Sequence, residues 1–88
     1  MELLMFTYPN CEKCAALKSH LEGHGASYTE YDLARPEGKV RIREFIRDIR
    51  RDESGAVILP TLVALEEGRP PAVVTNPEEY DAWLKSRA

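Results

Sequence analysis

Cysteine, excess positive charge and long apolar runs are all scarce in this chain. Two cysteines among 88 residues exclude the secreted disulfide scaffold, which needs four or more to staple a small core. Twelve basic residues against fifteen acidic ones leave a net charge of −3. Domains that bind phosphate backbones usually have the opposite balance, so no nucleic-acid partner is expected. No apolar stretch approaches the ~20 residues of a membrane span. The longest near the start is Leu3 to Phe6, and no membrane association is expected. Glu2 stands where a secretory leader would carry Lys or Arg, which makes a cytoplasmic protein the expectation. A chain of this length buries roughly 60–65% of the surface its unfolded form exposes, enough for one modest core. Residues 1–88 are therefore read as a single domain, expected to be monomeric.

What is present has a clear order. Residues 2–8 (ELLMFTY) favour a buried strand that Pro9 stops. From Cys11 to about Glu22 the period changes: Cys14, Leu17 and Leu21 lie at i, i+3 and i+7, one stripe of a helix, with Gly23 and Gly25 as its stop. Residues 27–33 read as a strand, with Tyr28, Glu30 and Asp32 on one face and Thr29, Tyr31 and Leu33 on the other. Pro36 opens a long charged helix expected to reach about Glu53. Its apolar face is Ile42, Ile46 and Ile49 with Phe45, and the rest carries i,i+4 ion pairs.

Ser54-Gly55 is a turn, and the next strand begins at or just after Pro60, because proline cannot donate to a central ladder. Glu66 to Arg69 is a hairpin connection, and residues 72–75 form a short last strand. Asn76-Pro77-Glu78-Glu79 is a helix start with an Asn cap and a capping-box-like Glu79, followed by the apolar face of Tyr80, Trp83 and Leu84. The order β-α-β-α-β-β-α predicts an α/β fold. A parallel first crossover and an antiparallel closing hairpin would make a four-stranded mixed sheet flanked by helices.

Cys11 and Cys14 enclose only Glu12 and Lys13. Cys11 falls at a strand-to-helix junction, where first-turn amides without intrahelical partners and the helix dipole favour a thiolate. Cys14 lies on the Leu17–Leu21 stripe, hence inward. Cys11 is therefore read as the nucleophile and Cys14 as the resolving thiol, close enough to expel a bound substrate by closing a disulfide. A zinc site joining this pair to His20 and His24 is disfavoured. On a continuous helix those histidines stand ~14–20 Å along and on roughly the opposite face. They read as exposed residues at a helix C-terminus, and no metal-binding residue is assigned. Trp83 reads as core packing and Arg69 as a solvated turn residue.

The run Phe6-Thr7-Tyr8-Pro9-Asn10-Cys11-Glu12-Lys13-Cys14 resembles the active-site segment of glutaredoxins and glutaredoxin-like redoxins. Ser54-Gly55 to Leu59-Pro60-Thr61 resembles their Gly-x-x-Val-Pro segment, and the element order matches over essentially the whole chain. The resemblance implies the thioredoxin fold, a cis Pro60 facing the cysteines, and pairing of an extended substrate with the peptide groups of Leu59. Thr75 and Asn76 fall near the family's glutathione-binding turn, where helix N-terminal amides can hold a carboxylate.

Five positions in three places depart from the family, and the expected middle helix is longer than the family's. Tyr8 replaces a basic residue, Thr75-Asn76 replaces a Gly-Gly pair, and Glu12-Lys13 replaces Pro-Tyr. The expected function is a thiol–disulfide oxidoreductase acting on disulfide-containing proteins or mixed disulfides. It would have no tightly bound cofactor, and either glutathione or a thioredoxin-reductase-type flavoenzyme would donate electrons. The alternatives are a metal or iron–sulfur binding module using Cys11, and a redox-sensing adaptor using the groove beside Pro60.

Overall fold

The apolar run near the start becomes the second strand of a four-stranded sheet in a computed structural model, which describes residues 1–87. In this strand, β1 (Glu2–Thr7), every residue from Leu3 to Thr7 is buried. Alternate side chains of a strand point to opposite faces, so an unbroken apolar run is stable only where both faces are covered. Leu3 and Met5 enter one core with Leu17, Leu21, Leu62 and Tyr80, while Leu4 and Phe6 enter another with Phe45 and Val63. Burying each of these larger side chains is worth about 1.5–3 kcal/mol.

The order is β1, α1 (Glu12–Gly23), β2 (Thr29–Asp32), α2 (Pro36–Ile42), β3 (Thr61–Leu65), β4 (Ala72–Val74) and α3 (Pro77–Arg87). The strands lie in the order β2-β1-β3-β4. β1 pairs parallel with β2, and the β1–β3 and β3–β4 pairs are antiparallel. The mixed sheet, the crossover and the closing hairpin all match the expectation. α1 and α3 cover one face, α2 and the segment after it the other. Among the described residues no helix is long and apolar enough to cross a membrane.

α1 buries Cys14, Leu17 and Leu21, the expected stripe. Its stop is Gly25 rather than Gly23. Gly25 has φ 68° and donates its N–H to Glu22 O (3.0 Å), while Ala26 N–H reaches Leu21 O (3.0 Å). This is the paired C-terminal motif that needs a left-handed residue just past the helix. β2 is shorter than residues 27–33, but its alternation holds. Tyr28 packs with the α1 core, and Tyr31 and Leu33 pack with the other.

The long charged helix is the main correction. α2 ends at Ile42, and Arg43–Phe45 tighten into a 3-10 turn. A 3-10 turn advances ~120° per residue rather than 100°, so the apolar stripe rotates. Phe45 points inward, and Ile46, expected on the buried face, is 57% exposed. The expected i,i+4 pairs are absent among the described residues. Arg41 instead pairs with Glu44 at i+3 (2.7 Å), and Arg50 pairs across the molecule with Glu79 (2.6 Å).

Helix continuation to Glu53 would need Arg50 O to accept from Ser54. That carbonyl accepts instead from Ile58 N–H (2.9 Å), and Ser54 N–H goes to the Asp52 carboxylate (2.9 Å). Residues 51–57 form a small hairpin around the expected Ser54-Gly55 turn, closed by an Arg51–Val57 bridge. The last strand and helix follow the sequence closely. Trp83 packs against the core beneath the Arg87 guanidinium (4.8 Å to the ring centre), and Arg69 is an exposed turn residue beside Glu66 (3.5 Å).

Candidate functional site

The turn from β1 into α1 is made by Tyr8, Pro9 and Asn10, and Asn10 takes φ 61°. Asparagine is among the few side-chain-bearing residues that tolerate this region, so it can bend the chain into the helix. Cys11 then sits at the N-cap with extended backbone (φ −104°, ψ 106°). Its carbonyl accepts from Ala15 N–H (3.1 Å), and its sulfur accepts from Cys14 N–H (3.1 Å). The sulfur thus does what a capping oxygen ordinarily does. A helix N-terminal amide aimed at Sγ stabilises negative charge there when the thiol is reduced. Cys11 and Cys14 are joined as a disulfide with Cα atoms 5.2 Å apart. Cys11 is half-buried, and Cys14 is only 2% exposed. The asymmetry read from the helical stripe is present.

The other expected site residues divide into two groups. Tyr8 is exposed and lines a groove of ≈ 550 Å³ with Cys11, Cys14, Lys18, Glu30 and Asp32. Leu59, Thr75 and Asn76 line a different groove of ≈ 290 Å³ with Lys13 and Ala16. The Leu59–Pro60 peptide is cis, and Pro60 is buried. The first groove contains residues that sequence reasoning missed. Glu30 accepts from Thr7 Oγ1 (2.8 Å) and pairs with Lys18 Nζ (3.1 Å). The parallel register sets Thr7 opposite Asp32, which brings the end of β2 beside the turn before Cys11. The available signal was topological, because ligand sites in such sheets gather at the carboxyl ends of parallel strands.

The second groove holds a feature the sequence only partly disclosed. Asn76 Oδ1 accepts from Glu79 N–H (2.8 Å), the expected cap of α3. Glu79 reaches back to accept from Thr75 N–H (2.8 Å) and Thr75 Oγ1 (3.0 Å). The same carboxylate receives two bonds from the Arg50 guanidinium (2.7 and 2.6 Å), whose Nη2 also donates to Val73 O (3.0 Å). The amide expected to receive a substrate carboxylate is therefore occupied by the protein's own.

The Arg50 guanidinium, followed by the Thr75 amide and hydroxyl, lowers the Glu79 pKa from 4.5 to about 2 against an opposing desolvation. A depressed carboxylate pKa adds stability that is present above pH 4.5 and lost as pH falls toward 2. The side chain is 34% exposed, so solvent screening reduces the effect to roughly 1 kcal/mol. Acid titration of unfolding free energy should therefore be steeper over that window in the wild type than in Glu79→Gln. Parallel curves would show that the ion pair contributes nothing to folding.

A four-stranded mixed sheet with a Cys-x-x-Cys at the N-terminus of its first helix and a cis proline before its third strand defines a thiol-redox protein of the thioredoxin fold. The glutaredoxin family model matches residues 3–67, and the chain belongs to the glutaredoxin family. Its structure is similar to that of the glutaredoxin-like protein NrdH-redoxin from Escherichia coli, at TM-score 0.63 and 17% identity, over 93% of each chain. It is also similar to the thioredoxin-like protein BC3987, at TM-score 0.62 and 19% identity, over 94% of this chain and 97% of that one. No curated protein sequence matches. The family match ends before β4 and α3, the elements that carry Thr75, Asn76 and Glu79.

Proposed function

We propose that this protein is a dithiol disulfide reductase that acts on protein disulfides and takes its electrons from a thioredoxin-reductase-type flavoenzyme rather than from glutathione. In the reduced protein the Cys11 thiolate attacks one sulfur of a substrate disulfide. A mixed disulfide forms, and the first substrate thiolate leaves. Cys14 then loses its proton to solvent and attacks Cys11 Sγ. The second substrate thiolate leaves, and the Cys11–Cys14 disulfide carries the two electrons' worth of oxidation. The donor returns two electrons and restores both thiols.

The observation that carries the choice of donor is the Glu79 carboxylate on Thr75 N–H and Oγ1. A glutathione carboxylate arriving there would have to displace an anion already held by Arg50, and would meet like charge if it did not. The Escherichia coli NrdH-redoxin, described as glutaredoxin-like with a thioredoxin-like activity profile, supports the same reading. Extended protein substrates would lie along Leu59 beside Pro60, with the exposed Tyr8 flanking the attacked sulfur. The expected site of action is the cytoplasm.

The test is a comparison of donors with one disulfide substrate. Thioredoxin reductase with NADPH should sustain turnover at least roughly tenfold faster than glutathione with its reductase. Equal or faster turnover with glutathione would overturn the choice of donor while leaving the dithiol chemistry intact.

A further inference from the structure

At the opposite end of α1 from the cysteines, two imidazoles converge on one carboxylate. His20 and His24 are one turn apart, on the last turn and C-cap of α1, and Asp81 is on α3. His20 Nε2 lies 2.7 Å from Asp81 Oδ1, and His24 Nε2 lies 3.6 Å from the same oxygen. The candidate ligand atoms of all three residues fall within 4.8 Å of one another. Both rings stand edge-on to Tyr80, with centroids at 5.8 and 5.6 Å. Tyr80 is 3% exposed, so it supplies a fixed wall that limits how the rings can turn.

We propose that His20, His24 and Asp81 form a binding site for one divalent transition-metal ion of the zinc type, which ties the C-terminal end of α1 to α3. Zinc takes imidazole nitrogen at 2.0–2.1 Å and carboxylate oxygen at 2.0–2.2 Å in tetrahedral geometry, which places ligand atoms roughly 3.3–3.5 Å apart. The two measured nitrogen–oxygen separations bracket that range, and all three ligand atoms lie within 4.8 Å of one another, so the ion requires the two imidazoles to draw together by up to about 1.5 Å through side-chain rotation. Two neutral imidazoles and one carboxylate are a borderline donor set that suits zinc, nickel or copper better than magnesium or calcium. The side chains are 27%, 43% and 46% exposed, which leaves room for water in the fourth position. The carbonyl-bearing end of α1 adds favourable partial negative charge. Lys85, one turn beyond Asp81, is the cation that opposes it. This site shares no residue with either groove beside the cysteines. Metal binding there would not consume the redox thiols.

The test uses the full chain in its disulfide form, so that neither cysteine can take metal. Calorimetric titration with zinc chloride at pH 7.5 should show saturable binding of one ion per chain. Saturating zinc should raise Tm by at least about 5 °C, reversed by a chelator. His24→Gln and His20→Gln, measured separately, should each weaken binding at least tenfold and abolish most of the Tm rise. Both should melt like the wild type without zinc. Absence of saturable binding below about 1 mM zinc, or equal affinity in the wild type and both variants, would overturn the proposal.

Discussion

Cys11→Ser should abolish disulfide reduction, by on the order of 10³-fold or more, because a serine hydroxyl is not ionised near neutral pH and cannot form the mixed disulfide. Cys14→Ser should behave differently. Attack by Cys11 should continue, and the mixed disulfide should persist for want of a resolving thiol. Mass spectrometry after incubation with a small disulfide should show one adduct on Cys14→Ser, attached at Cys11, and none on Cys11→Ser. Burial is what separates the two. Both line the same groove, but Cys14 is only 2% exposed, whereas Cys11 is half-buried and caps the helix. Attack requires the incoming disulfide to reach the sulfur along its own axis, which a buried thiol does not permit. An adduct found on Cys14 of Cys11→Ser would reverse the assignment of roles.

Gly38→Ala should lower stability by about 1–3 kcal/mol, the range for overpacking a filled space, which corresponds to a Tm decrease on the order of 10 °C. Helix propensity alone predicts the reverse, since alanine in an exposed helix interior is better than glycine by about 1 kcal/mol. The sign therefore tests the packing directly. Gly38 is buried in the short helix α2, and a Cβ there would stand 2.3 Å from Asp32 O and 2.8 Å from Asp32 C. Both are backbone atoms at the end of β2, which cannot swing away like a side chain. Asp32 also lines the groove with Cys11, so the close approach of α2 helps set the position of the site's edge. Thermal and urea melts at neutral pH suffice. A Tm equal to or above the wild type would show that α2 slides off β2 without cost.

The parts of the fold that were legible were those governed by local period and local chemistry. The Leu3–Phe6 run, the Cys14–Leu17–Leu21 stripe and the Asn76–Glu79 cap each carry their meaning within a few residues, and each holds in the structure. The segment after Pro36 failed because its outcome depends on distant partners. Ile42, Ile46 and Ile49 have helical spacing, but Arg50 bonds Ile58 through its carbonyl and Glu79 through its guanidinium. α2 has already given way to a 3-10 turn after Ile42, and these partners hold the chain from Arg50 onward in a non-helical path where periodicity would continue the helix. Gly38 carried a weaker signal, a glycine inside a helical pattern, whose meaning requires knowing what lies opposite.

The site divides the same way. That Cys11 stands at a helix N-terminus and Cys14 faces the core follows from three residues of spacing, because a helix places positions by angle whatever surrounds it. The residues on either side of the pair follow no such rule. Lys18 and Glu30 meet only through the parallel register of β1 and β2, and Arg50, Thr75 and Glu79 only through the docking of α3 beside the loop after α2. The sequence by itself therefore determined the asymmetry of the cysteine pair, one at a helix N-terminus and the other buried. Tertiary structure alone decided what meets it, by placing an internal carboxylate on Thr75 where a ligand's was expected. The physical reason is range: a helix dipole and a stripe act within one turn, whereas an ion pair between residues 50 and 79 exists only once the sheet has brought them together.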